Sequence, residues 1–360
     1  MTADASPVAA DPDRSQSVRL LRRAAAVATA TAVALSLAAC SGSSGSSDGA
    51  STSPDATGDA AFPVTVESAL GSATIEKKPE RVVALGWGAA DIALELGTVP
   101  VGVEADTWGG DADGYQPWFR EAVEKQGADL PKTIAGYPLD VDAIVALDPD
   151  LVLAPQSGLD QATFDQLSEL VPVVAYPGEP WQTTIQDQVT IAANALGVPD
   201  EAAPLLKKRQ DAIDAAAAAH PELAGKTFAY VYAGTEPGSL SVYLPGDPRV
   251  ELLTGLGMTL APSVANLTAS PGTFTATLGL ENADQLDDVQ VLLTWFNDET
   301  EQAATESQPL FAQIPAFAKG AYVPMLDRQL GMAVSVATPL SVPWALDAYV
   351  PLVAEAAAKA

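Results

Sequence analysis

Leu139-Asp-Val-Asp142-Ala-Ile-Val-Ala-Leu147-Asp148-Pro-Asp-Leu-Val152-Leu153 reads as a capped helix, a turn and a buried strand. Asp140 stands where an N-cap is wanted, apolar residues recur at helical spacing through Leu147, and Pro149 stops the helix before the apolar run that begins at Leu151. The same unit returns without a gap as Leu278-Gly-Leu-Glu281-Asn-Ala-Asp-Gln-Leu286-Asp287-Asp-Val-Gln-Val291-Leu292. Leucine meets leucine, acid meets acid, and the strand follows at the same offset. A helix-turn-strand unit used twice predicts two lobes, each built on its own sheet.

Outward from these two units the chain keeps alternating. Strands are expected at 81–85, 100–103, 151–154, 171–176, 227–232, 239–244 and 289–294. Helices are expected at 89–96, 140–147 and 159–170, and a last one begins near Val342. Residues 201–219 contain no glycine, are rich in Ala, Leu, Lys and Gln, and have their one proline, Pro204, in the first turn, where it is tolerated. They predict a long helix standing between the two groups of strands. The expected fold is α/β: two Rossmann-like lobes with mostly parallel sheets, 62–198 and 222–360, joined by an interlobe helix at 199–221.

The N-terminus has a different character. Arg19, Arg22 and Arg23 precede an uncharged run of apolar and small residues, 24–38, too short to span a bilayer comfortably. This is the layout of a secretory signal peptide, 1–39, and it ends on Leu37-Ala-Ala-Cys40, which resembles a bacterial lipobox. Cys40 is the chain's one cysteine, so no internal disulfide is possible. Lipidation at Cys40 and a flexible Ser- and Gly-rich tether over 40–61 are therefore expected, with acyl chains holding the protein to the membrane. The whole chain has 46 acids against 18 bases, a formal net charge of −28. That balance repels phosphate backbones and argues against nucleic acid as a partner.

Several blocks carry a more specific resemblance. Pro79-Glu-Arg-Val-Val-Ala-Leu85, Leu96-Gly-Thr-Val-Pro-Val-Gly-Val103, Ile144-Val-Ala-Leu-Asp-Pro-Asp-Leu-Val152, Asp247-Pro-Arg249, Pro309-Leu-Phe311 and Leu340-Ser-Val-Pro-Trp-Ala-Leu-Asp347 resemble the periplasmic-binding family that serves ABC importers of ferric siderophores, haem and vitamin B12. The ferric-siderophore branch fits best, through Trp108 and Tyr176-Pro-Gly-Glu-Pro-Trp181. The resemblance implies two α/β lobes bridged by one helix, modest closure on a ferric siderophore and delivery to an ABC permease. It implies a monomer with no cofactor and no metal ligands of its own, the iron being held by the chelator. A haem- or cobalamin-binding protein of the same class is the alternative.

An exported Rossmann-like enzyme is the competing class. Gly86-Trp-Gly88-Ala-Ala-Asp91 follows a strand and opens a helix, and Glu104 lies beyond it, close to a dinucleotide fingerprint. Asp91 stands where the third glycine belongs, however. The sole histidine, His220, has no catalytic partner in view, and one imidazole makes a poor zinc or manganese site.

Aromatic residues gather at or just after strand ends: Trp87, Trp108, Tyr176, Trp181, Tyr232, Tyr243 and Trp295. Open α/β sheets bind ligands outside those ends, so these seven are the expected walls of a cleft, with core packing the competing role for each. Trp118 and Trp344 are expected to pack. Arg249 and Arg328 are the candidate anchors for chelator oxygens, against a plain salt-bridge role. Asp142 and Glu281 hold equivalent places in the repeat, each at the second position of its helix, where an acid is stabilised by the helix dipole. The resemblance assigns them to permease docking, one per lobe, although the first-lobe position is usually glutamate and Asp142 is a methylene shorter.

Overall fold

The computed structural model describes residues 62–234, 238–270 and 273–360. Cys40, the signal segment and the whole of the tether lie outside the described residues. A two-stranded hairpin, β1 (Val64–Glu67) and β2 (Ser72–Ile75), opens the described chain. Five strands then form the first sheet: β3 (Val82–Ala84), β4 (Gly102–Glu104), β5 (Lys132–Ile134), β6 (Leu151–Leu153) and β7 (Val173–Val174). Their order is β5-β4-β3-β6-β7 and every pairing is parallel. β3 and β6 are buried along their whole length, which is why they read as unbroken apolar runs rather than as alternations.

The second sheet uses β8 (Thr227–Tyr232), β9 (Ser239–Tyr243), β10 (Thr259–Leu260), β11 (Thr275–Gly279), β12 (Val291–Trp295) and β13 (Tyr322–Met325), in the order β11-β9-β8-β12-β13. β12 is parallel to both neighbours, while β9 is antiparallel to β8 and β11. The mostly parallel reading thus describes the first sheet better than the second. The reason is connection length: six residues separate Tyr232 from Ser239, and a parallel crossover needs a dozen or more. The start of β8 pairs instead with the short β10.

The repeat has a structural counterpart. β6 and β12 hold the same rank, each next to the edge and flanked in parallel on both sides. The preceding helices diverge. Asp140 caps the first by accepting the Ala143 N–H at 3.0 Å, whereas Leu280–Leu286 is a 3₁₀ segment with a non-helical Asn282.

Helices α1 (Ala89–Glu95), α2 (Pro117–Lys125), α3 (Val141–Val145), α4 (Gln161–Ser168) and α5 (Ile185–Ala195) surround the first sheet, and α6 (Ala202–Ala219) follows. After it come α7 (Pro248–Gly255), α8 (Pro262–Ala265), α9 (Glu299–Glu306), α10 (Pro315–Ala318), α11 (Arg328–Val336) and α12 (Ser341–Ala357). α6 touches α5 on one side and α7 and α12 on the other. Its buried Arg209 donates from Nε to the carbonyl of Ala337 at 2.7 Å, fastening the long helix to the end of α11.

One apolar cluster ties the two lobes together, while β3, β6 and β7 are packed in clusters of their own. A continuous cluster runs from Leu94, Trp118 and Val123 through Val334, Val342 and Tyr349 to Phe228 and Leu293. Trp118 packs on Trp344 with ring centroids 5.3 Å apart. Within this core Asp91 of α1 accepts from Trp118 Nε1 at 2.8 Å and from the Thr338 hydroxyl at 2.6 Å. Among the described residues no helix is long and apolar enough to cross a membrane.

Candidate functional site

A cavity of about 650 Å³ opens between the two sheets, at the carboxyl ends of β3, β4, β5 and β12. Four strand ends deliver its walls. Gly86 and Trp87 follow β3; Glu104 ends β4, with Asp106 and Trp108 after it; Gly136 and Tyr137 follow β5; Trp295 ends β12, with Asn297 after it. α7 adds Arg249, and α11 adds Met332 and Ser335.

Trp87 is presented by a sharp loop. Gly86 and Gly88 on either side have φ of 76° and 78°, and a Cβ on Gly86 would lie 2.3 Å from the Gln156 carbonyl oxygen. Only glycine serves there. The Trp87 ring meets Trp181 at 5.5 Å. Trp181 takes φ of 62°, an uncommon setting for a bulky residue. With Trp87, Arg249, Thr183 and Phe274 it borders a second compartment of about 220 Å³.

Trp108 is set by Asp106, whose Oδ1 accepts from the backbone N–H of Trp108 and of Gly109, each at 2.9 Å. Its indole crosses the cleft, donating to Asn297 Oδ1 at 2.8 Å and meeting the face of Trp295 edge-on at 5.3 Å. Trp295 lies flat on Tyr232, 3.9 Å away, and donates to the Tyr243 hydroxyl at 3.0 Å. Tyr232 in turn donates to Glu301 at 2.9 Å.

Four of the expected wall residues therefore border the large cavity: Trp87, Trp108, Arg249 and Trp295. Trp181 borders the smaller compartment. Tyr232 and Tyr243 stand behind Trp295 as its support. Tyr176 is a correction: it is buried in the core under α4 and its hydroxyl donates to the Leu159 carbonyl at 2.9 Å, so it faces no cleft. Arg328 is a second correction. It is exposed at the rim and donates to the Asn297 carbonyl, from Nε at 2.8 Å and also from Nη2.

Arg249 is a wall residue but no free cation. Its Nε and Nη2 donate to the two oxygens of Asp247 at 2.8 and 2.6 Å, and Nη1 donates to Ser335 at 3.2 Å. The guanidinium lies 4.0 Å from the Tyr243 ring centroid. Burial alone would lower its pKa, but Asp247 and the neighbouring tyrosines outweigh this and hold it protonated.

The sequence reading missed Glu104 and Asp106 as wall residues, together with Tyr137 and Asn297. All four follow strand ends as the tryptophans do, and a search by position rather than by aromaticity finds them. Glu104 accepts from the Gly86 N–H at 2.9 Å, and burial raises its carboxyl above the ordinary value, with Asp106 adding to the rise. That contact accounts for the near-fingerprint: Glu104 braces the glycine loop. Thr338 covers Gly88, with Cγ2 2.9 Å from where a Cβ would sit, so the start of α1 is packed against the second lobe. Among the described residues no three His, Cys, Asp or Glu side chains are placed to hold a metal ion. Asp142 and Glu281 are both exposed, as the second residues of α3 and of the 3₁₀ segment.

A family model for periplasmic binding proteins matches residues 82–325. The ferrichrome complex of PiaA from Streptococcus pneumoniae superposes with a TM-score of 0.76 at 31% identity, covering 82% of this chain and 99% of that one. A second structure of PiaA, described as an iron uptake ABC transporter substrate-binding protein, gives a TM-score of 0.71 at 30% identity, over 82% of this chain and all of that one. The Fe(3+) dicitrate-binding periplasmic protein FecB of Escherichia coli is 30% identical over 116 residues, 32% of this chain and 35% of its own length. Matches to the first curated relatives span 38% and 24% of those proteins.

Proposed function

The chain belongs to the periplasmic binding protein family, a family of solute-binding proteins rather than enzymes, and on that premise we propose that it captures a ferric siderophore in the interlobe cavity and delivers it to an ABC permease. The observation that carries this reading is the aromatic cavity. Ligand sites are typically concave, about 300–1,000 Å³, mostly apolar, with a few placed polar groups. A cavity of about 650 Å³ walled by Trp87, Trp108 and Trp295 has that character. A ferric siderophore brings its iron already chelated, so the protein needs shaped walls and not metal ligands. The ferrichrome carried by PiaA, a structural relative at 31% identity, supports the same class of ligand.

The proposal extends to both ends of the delivery path. Cys40 is acylated after removal of 1–39, and the tether holds the binding unit at the outer face of the membrane. Asp142 and Glu281, exposed and matched in the repeat, meet arginines of the permease. The cavity is tested by titrating ferrichrome, haemin and cyanocobalamin into the protein while following tryptophan fluorescence. Ferrichrome should quench saturably, because three indoles line the cavity. Saturable quenching by haemin or cyanocobalamin with none by ferric siderophores would move the protein to another branch of the family.

A further inference from the structure

We infer that the cavity selects ferric chelates of zero or positive net charge and rejects multiply anionic ones, with Glu104 and Asp106 as the residues that set the choice. The inference deepens the siderophore reading and rests on it. Among the described residues three charged side chains border the large cavity: Glu104, Asp106 and Arg249. The positive one is spent, since Asp247 takes Nε and Nη2 of Arg249 at 2.8 and 2.6 Å and both side chains are almost fully buried. That pair presents a dipole and no net charge.

The two acids are not spent in this way. Glu104 accepts one backbone N–H, from Gly86 at 2.9 Å. Asp106 accepts the N–H groups of Trp108 and Gly109 at 2.9 Å and the Gln116 amide at 3.5 Å. All of these partners are neutral, and neither acid forms a salt bridge among the described residues. Arg328 donates Nε and Nη2 to the neutral Asn297 carbonyl, so its charge is also unpaired, but it is exposed and stands outside the cavity lining. The recess itself therefore holds two acids without a cationic partner between low-dielectric sides, where fields are focused.

Hydroxamate chelates fit this wall. Three hydroxamate monoanions balance the three positive charges of ferric iron, leaving the complex uncharged, and a pendant ammonium makes it cationic. Tricatecholate and hydroxycarboxylate complexes are anionic and would set like charge against Glu104 and Asp106. The aromatic edges of Trp108 and Trp295 then serve a largely apolar chelate shell, and Glu104 serves a cation reaching toward the β3–β4 side.

The experiment is a tryptophan-quenching titration of the full-length protein in detergent at pH 7.5, in low and moderate salt. The probes are ferrioxamine B (monocationic), ferrichrome (neutral), ferric enterobactin (triply anionic) and ferric dicitrate (anionic). Ferrioxamine B and ferrichrome should bind ~100-fold or more tightly than the two anionic complexes. Added salt should weaken ferrioxamine B alone. Glu104→Gln keeps an oxygen for the Gly86 N–H, so the loop should survive; it should cost ferrioxamine B ~10-fold and ferrichrome less than ~2-fold. A far-ultraviolet circular dichroism spectrum matching the parent's shows that this variant is folded. Ferric enterobactin binding as tightly as ferrichrome, or a Glu104→Gln variant whose ferrioxamine B affinity stays within ~2-fold of the parent's, would overturn the charge selection and leave siderophore capture standing. No binding of any of the four would overturn both.

Discussion

The two walls of the cleft use the same ring types on different supports. In the second lobe Tyr243, Tyr232 and Trp295 are the last residues of β9, β8 and β12, three neighbouring strands. The sheet ladder spaces them, the stack at 3.9 Å fixes Trp295 flat, and its N–H is committed to Tyr243. In the first lobe Trp87 and Trp108 ride on loops, one between two left-handed glycines and the other on the turn that Asp106 closes. One wall is built into a sheet and the other hangs from it. Across one cleft a plate set by a sheet thus faces indoles set by loop hydrogen bonds and left-handed glycines. Away from the cleft the lobes are tied by one apolar cluster and by Asp91.

The largest expected effect concerns where both lobes would meet the transporter. If Asp142 and Glu281 are the two docking acids, Asp142→Ala with Glu281→Ala should cripple uptake of labelled ferric siderophore while equilibrium binding stays intact. Truncating one partner of a buried interfacial charge pair costs about 2–5 kcal/mol. The lobes should differ here too: the shorter Asp142 has less reach, so Glu281→Ala should be the more damaging single change. Normal uptake by the double variant, or a matching loss of binding, would remove the assignment.

A second test addresses the seam between the lobes. Burial pushes the Asp91 carboxyl up to about 7 from 3.8, with hydrogen bonds from Thr338 and Trp118 pulling it back and Glu95 adding to the rise. Its folded pKa is raised, so its contribution to stability is fully present below the unfolded value and is lost as pH rises through about 7. The difference across that window is on the order of 4 kcal/mol at most, at about 1.36 kcal/mol per pH unit. Asp91→Asn keeps an acceptor for Trp118 and Thr338 and removes the titration. Thermal unfolding between about pH 4 and pH 8 should show a steeper loss of stability in the parent than in the variant. Parallel curves would mean that the carboxylate is accommodated without cost.

How much of this was legible in the sequence follows the same division. The apolar runs that became β3, β6 and β12 are buried on both faces, so composition alone betrays them. The long helix at 202–219 announced itself through propensity and the absence of glycine. β9 was harder, because its reversed direction is set by the length of the β8–β9 link and not by any residue in the strand; β11, antiparallel to it, runs the same way as β8. At the site, sequence placed aromatics near strand ends but not the direction in which each ring points. Tyr176 stands two residues beyond β7 and turns into the core, while Trp87 and Trp295 turn out of it. The acids were invisible for a different reason. In a chain with 46 of them, nothing local marks Glu104 and Asp106 as the two that border the cavity without a cationic partner.

The smallest effect sharpens the contrast between the walls themselves. Trp295→Ala removes a ring, a stacked partner of Tyr232 and the acceptor role of Tyr243 in one step. It should weaken ferric-siderophore binding by about 2–3 kcal/mol, in the range of a central, well-supported contact residue. Trp87→Ala removes a ring that makes no hydrogen bond, and Trp181, 5.5 Å away, still covers one side of the gap. About 1 kcal/mol is expected there. The conservative changes discriminate better. Trp295→Phe keeps apolar area but loses the N–H to Tyr243, so the plate is no longer fixed and most of the loss should remain. Trp87→Phe loses no hydrogen bond made by its ring in the structure, so binding should fall by less than about 0.5 kcal/mol, as for an aromatic exchange that leaves packing nearly intact. Isothermal titration with one ferric hydroxamate measures all four. Equal losses at the two positions would mean that the sheet confers no advantage over the loop, and that both walls adapt alike.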